Sequence, residues 1–301
     1  MCIFSQPVDA VNDTQIFARI KTGGMQCLVY QMNYKSKQTN AMILPVPIKA
    51  PSTESSLRFI DLHEYARFFR DLDQGFPRPQ SFGCSSVVLS APKHSLSVYR
   101  VGNYVASFVP TLADFSRLDE RFSLPDQVWA KIPKYADYGF AVFELAQGTL
   151  QPHPMGFEFD SALENTLYFP TMHIHDGQVH DTEEFDHILY LQHAGFDSQV
   201  HGYQNPESPD SATGLIRSKY VAKNYCDISA SKGILESKLL VHRKIIRGNC
   251  SNQDVHIRVF GDPITLTTNI RQFISFLPWL FAGTAVAWIV ERRNKLRTIR
   301  N

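Results

Sequence analysis

Six of the 11 histidines lie in one short segment, between residues 173 and 201. His173 and His175 are separated by one residue, so both imidazoles would point to the same face of a β-strand. His180 follows a predicted turn, and His187 begins the next predicted strand. Because neutral imidazole nitrogens bind zinc and other divalent transition metals, these four histidines form a candidate metal site. In the alternative interpretation, the segment is a polar hairpin whose histidines are solvated or bonded to neighbouring carboxylates.

The N-terminal cysteine is a second candidate for chemistry. If Met1 is removed, Cys2 carries a free α-amine beside its thiol, and that amine can serve as the base for the nucleophile. After Met1 the sequence reads C-I-F-S, and the segment T-Q-I-F-A-R ends at Arg19. These residues resemble the choloylglycine-hydrolase type of N-terminal-nucleophile amidase, although Ile-Lys-Thr follows Arg19 where that family has Asn-Met-Asp. The resemblance implies a catalytic Cys2 and a substrate-orienting Arg19; in the alternative, Cys2 is an ordinary small buried side chain.

The bulk composition is that of a globular protein without a strong net charge. The chain has 301 residues, of which 44% are hydrophobic and 20% charged, so it can build a sizeable core. Thirty basic residues against 29 acidic residues give a net charge of +1, so we predict no nucleic-acid partner. Five cysteines occur without a C-x-x-C pair, which gives no support for a zinc ribbon or a thioredoxin-like site.

Alternation of apolar and polar residues predicts β-strands along most of residues 1–265, which we take as one globular domain. Two strands flank Gly23-Gly24, which predicts a hairpin because glycine tolerates positive φ. A late hairpin is predicted around Gly248-Asn249 in the same way. Asp61, with Glu64 three residues later, predicts a helix over residues 61–72. Because strands occur in runs with helices set aside from them, the predicted fold class is α+β with a mostly antiparallel sheet.

The C-terminal part, residues 269–297, is predicted to be a hydrophobic helix with a basic tail. Residues 273–290 contain only two polar side chains, Ser275 and Thr284. As a helix this run is about 27 Å long, close to the roughly 30 Å hydrocarbon core of a bilayer. Two tryptophans and the basic tail favour lipid over a buried core position. We therefore predict a transmembrane helix and a membrane-associated protein, with the side of the main domain left open; the alternative is a core helix.

A broader likeness supports the same architecture. The segments Y-Q-M-N-Y and A-M-I-L-P-V-P, the V-G-N-Y of residues 101–104, the Y-A-D-Y-G-F of residues 135–140 and the hydrophobic run at 273–290 occur in that order. This order resembles a bacterial family of membrane-anchored domains of unknown function. The resemblance implies an architecture and membrane attachment, and it implies no chemistry.

These observations predict a membrane-associated protein that acts as a non-catalytic binding or assembly component. Its predicted partners are the membrane, through residues 273–290, and other proteins. A metal-binding protein or metalloenzyme that uses residues 173–187 is one alternative. An amidohydrolase that uses Cys2 is the other.

Overall fold

β-Strands provide most of the regular structure of this chain. The computed structural model describes residues 3–77, 99–101, 104–200, 209–211 and 213–259. The strands in those ranges are β1 (Ile3–Phe4), β2 (Ala10–Ile20), β3 (Met25–Ser36), β4 (Asn40–Val46), β5 (Leu57–Asp61), β6 (Tyr99–Val101), β7 (Tyr104–Val109), β8 (Gly139–Leu145), β9 (Gly148–Leu150), β10 (Met155–Asp160), β11 (Thr166–Phe169), β12 (Thr182–Gln192), β13 (Ile216–Arg217), β14 (His242–Ser251) and β15 (Val255–Arg258). The α-helices there are α1 (Phe68–Gln74), α2 (Asp126–Trp129) and α3 (Ala194–Gln199). Short 3-10 helices cover His63–Tyr65, Leu112–Arg117, Glu120–Phe122, Pro133–Tyr135 and Ala222–Asn224.

The strands form two large sheets and one small sheet. The larger sheet has eight strands, seven of them in the order β13-β14-β12-β2-β3-β10-β5, with β9 also paired to β3. The second sheet has five strands in the order β1-β4-β8-β7-β6, and β11 pairs with β15. All pairs between these strands are antiparallel except β12 with β2, which is parallel. The described residues therefore confirm the mostly antiparallel sheet and make the chain mainly β or α+β.

Both large sheets are covered on both faces. Ile16 and Met42, from the two different sheets, belong to one hydrophobic core that lies between them. Phe17 points to the other face of the eight-stranded sheet, where a second core is closed by α1 and residues 222–241. Ile43 points away from the central core to a third core, under residues 112–135. Because successive side chains of a strand point to opposite faces, strands buried on both faces become nearly continuous apolar runs.

Two predicted elements differ from those in the structure. Asp61 does not begin a helix over residues 61–72, because it is the last residue of β5 and pairs with Met155. The chain first leaves the sheet through a 3-10 turn, and α1 begins only at Phe68. The late hairpin is also absent at Gly248-Asn249, since β14 continues through Gly248, which has φ of 85° and lies opposite Phe185. Glycine here accommodates an unusual backbone conformation inside a strand instead of a reversal of the chain.

The prediction of a transmembrane helix is corrected. Within the part of the chain that the structure describes, no helix is long and apolar enough to cross a membrane. The longest α-helix there, α1, has 7 residues, whereas a membrane span needs about 20. The run predicted for the span, residues 273–290, lies outside the described residues.

Candidate functional site

Three of the four predicted metal ligands form a buried stack of rings. The rings of His173 and His175 lie 5.1 Å apart at an angle of 14°, and those of His173 and His187 lie 5.2 Å apart at 18°. Phe185 stacks on His173 at 4.3 Å. His173 and His187 are fully buried. These three histidines therefore lie together in an aromatic cluster, but His173 and His175 lie outside the strands of the structure and not in a strand as predicted.

Burial keeps this histidine stack neutral. Desolvation holds the pKa of His173 and of His187 well below the ordinary histidine value. The same effect lowers the pKa of His175 to about 4. At pH 7 all three imidazoles are therefore uncharged, as a metal ligand requires.

The arrangement nevertheless does not fit a zinc ion. A metal binds an imidazole nitrogen in the plane of the ring, and ring planes that are nearly parallel and face each other do not meet at one point. The fourth predicted ligand, His180, is exposed and its Nε2 lies 2.9 Å from Oδ2 of Asp176. Among the described residues, no group of three or more histidines, cysteines and carboxylates could hold a metal ion. A metal site at residues 173–187 stays a prediction of the sequence.

Asn252 fixes the backbone of this segment. Its Oδ1 accepts a hydrogen bond from the N–H of His173 at 2.7 Å, and its Nδ2 donates to the carbonyls of His173 and His180 at 2.9 and 3.0 Å. Next to it, Asp254 accepts a hydrogen bond of 2.6 Å from the hydroxyl of Tyr135. Both residues are buried, and Asp254 Oδ1 also accepts from the N–H groups of Thr171 and Met172, so the two side chains replace the backbone partners that a regular strand would supply here.

The two residues of the predicted amidase site have different outcomes. Cys2 lies outside the described residues. Arg19 is nine-tenths buried, and its guanidinium donates to the carbonyls of Ile234 and Gly233, both at 2.7 Å. Its remaining Nη1 lies 3.8 Å from a carboxylate oxygen of Glu236. In the structure Arg19 therefore ties β2 to a segment more than two hundred residues later, and a substrate-orienting role stays a prediction.

Arg19 also lines a cavity of about 620 Å³ at the end of the β2–β3 hairpin. Two further cations line it, and each faces a carboxylate. Lys21 Nζ lies 2.6 Å from Glu158, and Lys49 Nζ lies 3.1 Å from Asp160. Since each of these cations has a carboxylate nearby, we assign no ligand to this cavity.

A different feature, which the sequence interpretation missed, is the outer edge of β14. All ten residues of β14 pair with β12, but on the other side only His242 and Arg243 pair with the two-residue β13. The segment just before β13 does not continue along β14, because it forms a turn in which the N–H of Gly214 donates to the carbonyl of Asp210 at 2.7 Å. Beyond Arg243, no other described strand pairs with this side of β14. We call residues 244–247 the β14 edge.

The direction of the backbone groups on this edge follows from the pairing. Ser218 N–H donates to Val241 O at 2.7 Å, so Val241 is a hydrogen-bonded position on this side of the strand. Arg243, two residues further along and opposite Ile216, is the next such position. Because hydrogen-bonded positions alternate in an antiparallel pair, Ile245 and Arg247 also direct their N–H and C=O groups outward. Within the described residues, the one hydrogen bond to the N–H and C=O groups of Ile245 and Arg247 on this side is weak: the Cys250 thiol donates to the Arg247 carbonyl at 3.9 Å.

The side chains of the β14 edge are apolar and basic. Ile245 and Ile246 are partly buried, Lys244 is partly buried, and Arg247 is exposed. The basic run H-R-K-I-I-R at residues 242–247 was visible in the sequence. The unpaired edge at these residues could not be predicted from the sequence, because periodicity shows that a strand forms but not how far its neighbour extends.

Comparisons with known proteins add a structural likeness. No family model matches the sequence. The crystal structure of baculovirus P35 has a TM-score of 0.46 at 17% identity, over 86% of this chain and 100% of that chain. The caspase-8/P35 complex gives a TM-score of 0.43 at 13% identity, over 82% of this chain and 96% of that chain. A mutated baculovirus P35 after caspase cleavage gives 0.43 at 16% identity, over 82% and 99%. At these values the likeness assigns no role to any residue of this chain.

Proposed function

We propose that this chain is a non-catalytic binding protein that docks an extended segment of a partner polypeptide on the β14 edge. The observation that supports the proposal is the row of outward backbone groups at Ile245 and Arg247. An extended peptide can add to such an edge as a further strand, in which main-chain hydrogen bonds give affinity and side chains give specificity.

The shape of the edge suits a short segment. β13 covers the first two residues of β14, and Gly248, with its positive φ, interrupts regular strand geometry after Arg247. Two outward-directed residues remain between these limits, enough for about four to five residues of an added strand. Such a short opening also limits edge-to-edge pairing between copies, which long flat edges promote.

A metalloenzyme and an amidohydrolase that uses Cys2 stay alternatives predicted from the sequence.

The test removes one outward N–H without removing the strand. Proline lacks an N–H and is tolerated on an edge strand where that group faces outward, so Ile245→Pro should fold and lose peptide binding. Ile245→Val keeps the N–H and is the matched control. We would select hexapeptides by phage display on the full chain and measure their binding to both variants. Selected peptides should bind the valine variant like the unmodified chain and fail on the proline variant.

Amide hydrogen exchange locates the bound peptide. Strand addition should slow exchange at Ile245 and Arg247 more than at any residue of β5, the opposite edge of the sheet. The proposal is wrong if the selected peptides bind Ile245→Pro as tightly as the unmodified chain, or if protection occurs elsewhere.

A further inference from the structure

We infer that the segment that docks on the β14 edge is acidic, with one carboxylate on each face of the sheet to meet Lys244 and Arg247. This inference rests on the function proposed above and specifies the chemistry of the partner. It comes from the charges along β14 and from the contacts that each of them makes.

The charges on β14 all have one sign. The strand H-R-K-I-I-R-G-N-C-S contains two arginines and one lysine and no acidic residue. Arg243 is already neutralised, because its Nη1 lies 2.6 Å from Asp73. Lys244 and Arg247 have no carboxylate within 4 Å among the described residues. The two cations of β14 without a described carboxylate within 4 Å are therefore the two that lie beyond β13.

Lys244 stands in an apolar setting. It lies opposite Leu189, which is fully buried in the core between the sheets, and it shares a face with Ile246. This burial, without a compensating anion, lowers the pKa of Lys244 to about 8. A cation in such a place gains more from an incoming carboxylate than a solvated surface lysine does.

Arg247 occupies the other face of the sheet, because it is an odd number of residues from Lys244. The residue of β12 that pairs with Arg247 is Asp186. The Oδ2 of Asp186 accepts a hydrogen bond of 2.6 Å from the N–H of Asp13. Only that oxygen of Asp186 is engaged by backbone, the Arg247 guanidinium lies more than 4 Å from the carboxylate, and Arg247 is exposed. An added strand would bring its side chains beside Arg247 on this face.

The positions of the two cations define a sequence feature of the partner. Lys244 and Arg247 are three residues apart on β14, so the residues directly opposite them in an added strand are also three positions apart and point to opposite faces. The two partner residues between them lie opposite Ile245 and Ile246 and should be apolar. The expected partner segment therefore has two acidic residues separated by two apolar, β-favouring residues.

Three synthetic peptides test the inference on the full chain. They are acetyl-Thr-Glu-Val-Val-Glu-Thr-amide (the Glu-Glu peptide), the same peptide with glutamine at both glutamate positions (the Gln-Gln peptide), and the same peptide with lysine at both (the Lys-Lys peptide). Binding is measured by fluorescence anisotropy of labelled peptides at low and high salt, with amide exchange as a second readout. The Glu-Glu peptide should bind most tightly, and its advantage over the Gln-Gln peptide should shrink at high salt.

Substitutions assign the preference to the two cations. Lys244→Met and Arg247→Met keep most of the aliphatic length, and each should reduce the preference for Glu-Glu over Gln-Gln by up to about fivefold. Lys223→Met removes an exposed lysine on the Ala222–Asn224 turn and should leave the preference unchanged.

The outcomes separate this inference from the proposed function. If the Gln-Gln peptide protects the amides of Ile245 and Arg247 as well as the Glu-Glu peptide does, strand addition holds and the acidic preference is wrong. If none of the three peptides protects those amides, both the acidic preference and docking on this edge are wrong.

Discussion

At the scale of single residues, several histidines in this protein are buried in their neutral form. His242 is fully buried on β14, where its ring lies 5.9 Å from that of Phe196. Desolvation lowers the pKa of His242 to about 3, below the ordinary value of 6.5. The unfolded chain therefore binds a proton at His242 at a higher pH than the folded chain does. Stability must fall as the pH drops below 6.5 and must continue to fall until the pH approaches 3.

His242→Leu removes this proton-linked loss of stability. Relative to the variant, the free energy of unfolding of the unmodified chain should fall by about 2 kcal/mol between pH 7 and pH 5. Urea denaturation of both proteins at a series of pH values measures this difference. Parallel pH profiles for the two proteins would show that His242 is accessible to protons in the fold.

The backbone of the histidine segment depends on Asn252. Asn252→Ala removes three hydrogen bonds to buried backbone groups of His173 and His180, so it should destabilise the protein by about 2–4 kcal/mol. Gln178→Ala changes an exposed amide nearby and serves as the control. Equal denaturation midpoints for the two variants would show that the hydrogen bonds of Asn252 to the backbone do not stabilise the fold.

At the scale of elements, the centre of β10 shows how a strand is fitted between its neighbours. Gly156 pairs with Val29 of β3 on one side and with Ile60 of β5 on the other. A Cβ atom at Gly156 would lie 3.0 Å from the carbonyl oxygen of Ile60, 3.1 Å from Leu62 and 3.2 Å from Ile234. The glycine thus allows the second core to pack directly on the sheet.

Gly156→Ala should therefore overpack this contact. We expect a loss of about 1–3 kcal/mol in the free energy of unfolding, because the nearest contact is a backbone oxygen that cannot rotate away. Thermal or urea denaturation measures the loss. An unchanged or raised stability would mean that β10 and β5 can separate locally at no cost.

At the scale of the whole molecule, stability should be highest where the cores meet. β12, β2 and β3 are adjacent in the eight-stranded sheet, have strands on both sides, and are covered by a core on each face. Opening them requires the loss of both cores, so their amides should exchange only on global unfolding. Native-state hydrogen exchange should rank them slowest and the three-residue β9 among the fastest. Faster exchange in β2 than in β9 would contradict this layered arrangement.

The sequence by itself determined that most elements are strands, and it indicated some of the residues that lie close together. Alternation along a strand is a local property, so the antiparallel strands and the Gly23-Gly24 hairpin, whose two glycines have φ of 89° and 86°, were predictable. The short separation of His173 and His175 also indicated that their rings would lie together. Boundaries were less accessible, because Asp61 carries a helix-start pattern and yet ends a strand that is held by distant pairing with β10.

Only the tertiary structure decided how these elements are used. Arg19 looked like an available cation, but its partners come from residues 233–236, more than two hundred positions later. The histidine rings face each other instead of converging, because they stack on one another and His173 stacks on Phe185. The β14 edge depends on where the chain leaves β13, which is settled by the Gly214–Asp210 turn and not by any pattern within β14. Each of these features depends on contacts outside the segment that carries the pattern, and a local pattern contains no information about how far a neighbouring strand extends.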